Sequence, residues 1–198
     1  MLNSHNSAPL FVRQFVDTTI AHEGDEFTNI KEDSGAKTKY GVTEKSALRA
    51  KQFWHLYNWD GSIETMPLQF AQDWYVYDYY LAPKFNLVAE VSQMLSQEIF
   101  DSAVNVGQGT ASKWLQQLLN VLNNRQEFYK DISEDGNIGG GTITALKAYL
   151  SKRGKEGELV LFNMLNVMQG SHYIQLAIKK ESQEKFVYGW FNQRVDFK

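Results

Sequence analysis

Glu23, in the stretch Ala21-His22-Glu23-Gly24, is the residue whose type and setting best fit it for chemistry. It stands at the end of an amphipathic segment, beside a glycine. There the partial negative charge of a helix C-terminus disfavours a second negative charge, and partial burial against apolar neighbours disfavours ionisation too. A carboxyl kept protonated near neutral pH is what a glycosidic oxygen needs in order to depart. Such an acid needs a second group to help water or to stabilise an oxocarbenium-like transition state. Asp33 leads, because it lies across a polar insert from Glu23 and could turn back to face it. Asp is also a favoured turn residue, so a purely turn-forming role stands beside the catalytic one. Thr38 and Tyr40 are the polar alternatives, able to hold a water or a sugar hydroxyl. Carboxyl groups roughly 5–5.5 Å apart would give retention and roughly 6.5–9.5 Å inversion; both outcomes stay open. Asp25 and Glu26 read as rim charges.

The elements that must position these groups are read from periodicity. Phe11, Val12, Phe15, Val16, Thr19 and Ile20 form one apolar helical stripe ending near His22, and Gly24 supplies a stop. Residues 27–42, centred on Asp33-Ser34-Gly35, read as an irregular loop or short β-hairpin. Thr43 is placed to cap a helix over 44–57. After Thr65 and Pro67 a helix carries Met66, Phe70, Trp74, Tyr77 and Leu81 on one face and ends at Pro83. Further helices are expected over 87–105, from a Thr110 cap to Leu122, after a Thr142 cap, over 156–180 and over 182–195. A glycine-rich turn occupies 131–142. The expected fold class is mainly α, with a small β-hairpin or loop insert.

Composition narrows the function further. The chain has 198 residues, a formal net charge of -3 and no cysteine. The charge argues against nucleic acid as a partner, and the absence of Cys removes disulfides, thiol nucleophiles and cysteine zinc sites. His5, His22, His55 and His172 show no zinc-ligand spacing. Residues 131–142 resemble the start of a calcium loop, but Thr142 stands where a bidentate Glu is required. Gly107-x-Gly109 lacks the third glycine of a dinucleotide loop, and no Gly-x-Ser-x-Gly elbow exists. No cofactor and no metal are therefore expected. Aromatic residues make up 14% of the chain, most for the core and some available to stack on sugars. No apolar run is long enough for a membrane span, and the polar Met1–Pro9 stretch does not resemble a secretory signal.

Taken together, these stretches resemble the glycoside hydrolase family of phage-type endolysins and related muramidases. The resemblance is carried by His22-Glu23-Gly24-Asp25, set against the family's Glu-Gly-Gly motif, and by Ser34-Gly35-Ala36-Lys37-Thr38-Lys39-Tyr40-Gly41-Val42-Thr43. It continues through Phe100-Asp101-Ser102-Ala103-Val104-Asn105-Val106-Gly107 with Ala111, Leu115 and Gln116. Asp135-Gly136-Asn137-Ile138-Gly139 with Thr142 and Leu146, and Phe186, Gly189, Trp190, Asn192 and Arg194, match its C-terminal peptidoglycan-binding region. Asp25 and Ala36 depart from the pattern where the family has glycines, so the loop there has less backbone freedom.

The resemblance implies a lysozyme-like helical fold and an N-acetylmuramidase that cleaves the β-1,4 bond between N-acetylmuramic acid and N-acetylglucosamine. Glu23 is then the acid, Asp33 its partner, and Thr38, Tyr40, Gly41 and Asn105 contact substrate. Residues 1–95 would form the catalytic region and 96–198 the peptidoglycan-binding region, packed as one compact unit. The partner is the peptidoglycan glycan strand, and a monomer is expected. Peptidoglycan is anionic, so its affinity for this chain must come from hydrogen bonds and stacking. The protein would be made in the cytoplasm and would reach the periplasm or wall by holin-type release or specialised export. A non-catalytic wall-binding module and a lytic transglycosylase are the competing readings.

Overall fold

The computed structural model describes residues 3–23 and 37–197, with the backbone alone for His22, Glu23 and Gln193. The chain divides into two compact units, Met1–Ala82 and Pro83–Lys198. The fold is mainly α and lysozyme-like, with one small sheet among the described residues.

In the first unit, α1 (Ser4–Ser7) leads into α2 (Leu10–Glu23). Phe11, Val12, Val16 and Ile20 of α2 are buried, as the apolar stripe requires. They pack on α4 (Leu68–Val76), whose Phe70, Ala71 and Trp74 are buried in turn. Asp73 of α4 is fully buried, and it stays so because its carboxylate accepts from the Asn3 and His5 N–H groups and from the Tyr57 hydroxyl at 2.9, 2.7 and 2.8 Å. Burial first, and then the bond to Asp73, pushes the Tyr57 hydroxyl far above its ordinary pKa. Strands β1 (Thr38–Lys39) and β2 (Val42–Thr43) pair antiparallel, Thr38 opposite Thr43 and Lys39 opposite Val42.

Where a single helix over 44–57 is expected, the chain forms α3 (Glu44–Leu48) and then a 3-10 stretch at Lys51–Tyr57. The Ala47 carbonyl is taken by the Ala50 N–H at 3.0 Å and the Trp54 indole at 3.3 Å, which tightens the backbone instead of prolonging the α-helix. Thr43 does cap α3, accepting from the Ser46 N–H at 3.1 Å. Helix α4 runs on as a π-helical turn, Tyr77–Leu81, and stops before Pro83.

The second unit contains α5 (Phe85–Ala89), α6 (Gln93–Val106), α7 (Gln108–Leu122), α8 (Gly140–Lys179) and α9 (Glu184–Arg194). Leu95, Ile99, Leu115, Leu119, Leu146, Leu161 and Leu165 meet with no exposed surface and form its core. The helix expected over 87–105 is split because Ser92 is extended and caps α6, its hydroxyl accepting from the Leu95 N–H at 3.1 Å. Gly154 interrupts α8 with φ 58 and ψ -150, which accounts for the two helices expected there. Thr110 and Thr142 do not cap. Helix α7 begins after Gly107 and α8 after Gly139, and the Thr142 hydroxyl accepts from Gln116 instead.

Candidate functional site

Glu23 is the last residue of α2, so its backbone stands at the negative end of a fourteen-residue helix. Asp33 lies outside the described residues, as do Asp25 and Ala36. The hairpin brings Thr38, Tyr40 and Gly41 together. Tyr40 and Gly41 form its two-residue turn with φ 54 and 74, the positive values that suit the twist of paired strands. Tyr40 tolerates this conformation at a cost, whereas Gly41 has no Cβ to strain. Asn105 belongs to the second unit, exposed on α6, and its amide donates to the Asp101 carbonyl of its own helix at 2.8 Å.

The hairpin is fixed from several directions. Val42 is fully buried beneath it. Lys39 Nζ donates to the Glu64 carbonyl at 2.9 Å and reaches the Met66 carbonyl at 3.5 Å. Lys37 pairs with the Glu64 carboxylate at 3.3 Å, and the Tyr75 hydroxyl donates to the Tyr40 carbonyl at 3.2 Å. Hydrogen bonds from Ser62 and then Lys37 hold the Glu64 carboxyl below its usual range. Arg49 pairs with Asp78 at 2.9 Å and lies 5.8 Å from the Trp74 ring centroid, while burial and then Asp78 push the Tyr79 hydroxyl up. The result is a half-buried polar edge beside aromatic rings, suited to holding sugar hydroxyls. Lys39, Glu64 and Tyr75 were not among the candidates read from the sequence. Their roles depend on pairings across 25 to 35 positions, which no local pattern announces.

The second unit contains two polar arrangements. Gln116 is buried, and its amide donates to Asp135 Oδ1 at 2.9 Å, the Asn137 carbonyl at 3.0 Å and the Thr142 hydroxyl at 3.3 Å, while its Oε1 accepts from the Gly136 N–H at 2.8 Å. A Cβ at Gly136 would lie 2.8 Å from the Gly109 carbonyl oxygen, so this φ +75 turn needs glycine for space as well as conformation. Asp135 is thus committed to a turn, and the Gln116 bond, then the Asn137 N–H, hold its carboxyl below the usual range. In the other arrangement Asp101 accepts from Arg194 at 2.7 Å and Gln169 at 3.0 Å. Burial pushes the Asp101 carboxyl up, with Arg194 and Gln169 opposing. Among the described residues no group of three or more His, Asp or Glu could hold a metal ion.

Comparison with known proteins assigns both regions. Residues 16–107 match the family described as Glycosyl hydrolase 108, and residues 110–195 match the family described as Predicted Peptidoglycan domain. Among solved structures, SagA of Brucella abortus is similar in fold, with a TM-score of 0.57 and 17% identity over 92% of this chain and 88% of that one. No curated protein matches the sequence. Residues 16–107, which contain Glu23 and the hairpin, are thus similar to glycosyl hydrolase 108 and residues 110–195 to a peptidoglycan domain, and the chain is a glycoside hydrolase that acts on peptidoglycan.

Proposed function

We propose that the chain is an N-acetylmuramidase that cleaves the β-1,4 bond between N-acetylmuramic acid and N-acetylglucosamine. The observation that carries this reading is the position of Glu23: it closes α2, and that helix enters the glycosyl hydrolase region at residue 16. In the proposed reaction Glu23 protonates the departing glycosidic oxygen as the bond to the anomeric carbon breaks. Asp33 assists the attacking water or stabilises the positive charge developing on the ring. Thr38, Tyr40 and Gly41 hold sugar groups along the hairpin, and Asn105 of the second unit is a separate contact with the glycan strand. The chain acts as a monomer in the periplasm or wall, reached by holin-type release or specialised export. No helix among the described residues is long and apolar enough to cross a membrane.

The test is release of reducing ends from purified sacculi by the native chain and by Glu23→Gln. The native chain should release them with muramic acid at the new end, and the variant should bind sacculi without releasing any. Products lighter by one water would replace hydrolysis with lytic transglycosylase chemistry. Binding by the native chain with no new ends would make it a wall-binding module instead.

A further inference from the structure

Helix α8 beyond Gly154, α9 and the residues after it leave a groove of about 360 Å³ within the second unit. Val167, Ile174, Phe191 and Phe197 supply apolar walls, and Ser171 and Gln175 add polar groups. The groove is built by two local devices. Gly170 permits so close an approach that a Cβ there would lie 3.0 Å from the Phe191 ring. Asn166, without exposed surface, accepts the Asp196 N–H at 2.7 Å and donates to the Phe162 carbonyl at 3.2 Å. That bond holds the segment carrying Val195 and Phe197 against the groove. Among the described residues no charged side chain lines it. Val167, Ile174 and Phe197 remain 55%, 45% and 61% exposed, so its apolar surface is open in the single chain.

We propose that this groove binds a neutral N-acetylated amino-sugar unit of the glycan strand, using residues distinct from Glu23 and the hairpin. The inference rests on the reading of the chain as an enzyme of peptidoglycan, and the groove residues 166–195 fall inside the matched peptidoglycan domain. The choice of sugar follows from chemistry. The C–H face of a pyranose and the methyl of an acetamido group are apolar and suit Phe191, Phe197 and Ile174. Hydroxyl and amide groups need partners of the kind Ser171 and Gln175 provide. Stem peptides, and the lactyl group of muramic acid where no peptide is attached, carry carboxylates, for which a groove with no charged side chain among the described residues offers no counter-charge. The volume lies near the small end of the roughly 300–1,000 Å³ common for ligand sites, enough for a short saccharide and not for an extended strand. Holding one sugar here would keep the strand near the chain between cuts and raise the effective concentration of neighbouring bonds.

The experiment uses the full chain, a soluble tetramer of N-acetylglucosamine as probe in calorimetric titration, and retention on purified sacculi. Ile174→Asp places a charge in the groove and Phe197→Ala removes one wall, both at exposed positions. Val121→Asp, on α7 and 70% exposed, is the control for a surface charge elsewhere. The native chain and the control should bind tetramer alike, while Ile174→Asp weakens binding about tenfold and Phe197→Ala about threefold. Retention on sacculi should fall in the same order. Equal binding by all four proteins, with sacculi still cut by the native chain, overturns the groove and leaves the enzyme reading standing. A native chain that neither binds nor cuts sacculi overturns that reading instead. Displacement from sacculi by free stem peptide but not by tetramer overturns the choice of a neutral sugar. A dimer in sedimentation that Ile174→Asp dissociates would make the groove a self-association surface and also overturns it.

Discussion

The hairpin of the first unit and the glycine-rich turn of the second are both short, polar and tied down by side chains, but the ties come from different distances. The hairpin depends on Glu64, Met66 and Tyr75, which lie 25 to 35 positions from the residues they hold. The turn at 131–139 depends on one preceding helix. Gln116 fixes Asp135 through Asn137, Asn120 exchanges hydrogen bonds with both backbone groups of Ile132, and Asn123 holds Asp131. Closing the second loop needs α7 and a short excursion, whereas the first is shaped only when the 63–66 segment and α4 have already met it. The hairpin can therefore be moved by substitutions far from it, and the turn only by its own helix. In this enzyme the remote dependence falls in the glycosyl hydrolase region and the local one in the peptidoglycan domain.

The sharpest separation of the two regions is between activity and stability. Glu23→Gln should cost on the order of 10²–10⁴ in reducing-end release, the usual weight of a general acid, with the melting temperature unchanged. Loss of activity that merely tracks loss of fold would remove the proposed role. Gln116→Leu should do the reverse. It keeps the volume but strands the Gly136 N–H and Asp135, so a loss of about 3 kcal/mol is expected. That corresponds to roughly 6–12 °C in melting temperature for a chain of this size. A variant that melts like the native protein would show that the turn is held by something other than α7. Tyr75→Phe is smaller. It deletes one bond of 3.2 Å to the Tyr40 carbonyl and should cost about 1 kcal/mol. If the hairpin grips substrate, KM should rise while kcat stays near native. A fall in kcat alone would mean that the hairpin positions the acid and not the sugar.

The same contrast explains what could be read from the residues alone. The α2 stripe of Phe11, Val12, Val16 and Ile20 is a period of burial, and it leads correctly to a helix closing at Glu23. The Thr43 cap is equally local and equally visible. The 44–57 segment keeps helical spacing yet tightens at Ala50, because the Trp54 indole takes a carbonyl that the spacing assigns to a backbone N–H. Threonines at 110 and 142 have the right type for caps, but glycines already begin those helices and Thr142 is drawn to Gln116. Among the candidate site residues, Thr38, Tyr40 and Gly41 share a hairpin, one of the two forms expected of residues 27–42. Tyr75 is invisible beforehand, since its apolar ring fits the α4 core and its hydroxyl contact depends on a strand pairing elsewhere. Local physics writes itself into spacing; long-range contacts leave only residue types.

The smallest expected effect is the dependence of stability on acid. Asp135 and Glu64 both have folded-state pKa values below their ordinary 3.8 and 4.5, through Gln116 and Asn137 in one case and Ser62 and Lys37 in the other. A carboxyl lowered on folding contributes stability that is present above its unfolded pKa and lost as pH falls through its folded one. Asp101 works in the opposite direction: burial raises it, so folding gains as pH falls through its folded pKa. Melting temperatures taken from about pH 6 down to about pH 2.5 should therefore decline for the native chain, mainly below the ordinary carboxylate range. Asp135→Asn keeps an oxygen to accept from Gln116 but cannot titrate, so its decline should be shallower. Glu64→Gln should flatten the curve less, because its Lys37 partner is exposed and screened by solvent. If Asp135→Asn declines as steeply as the native protein, the turn owes its hold to the Gln116 amide and Gly136 and not to the carboxylate charge.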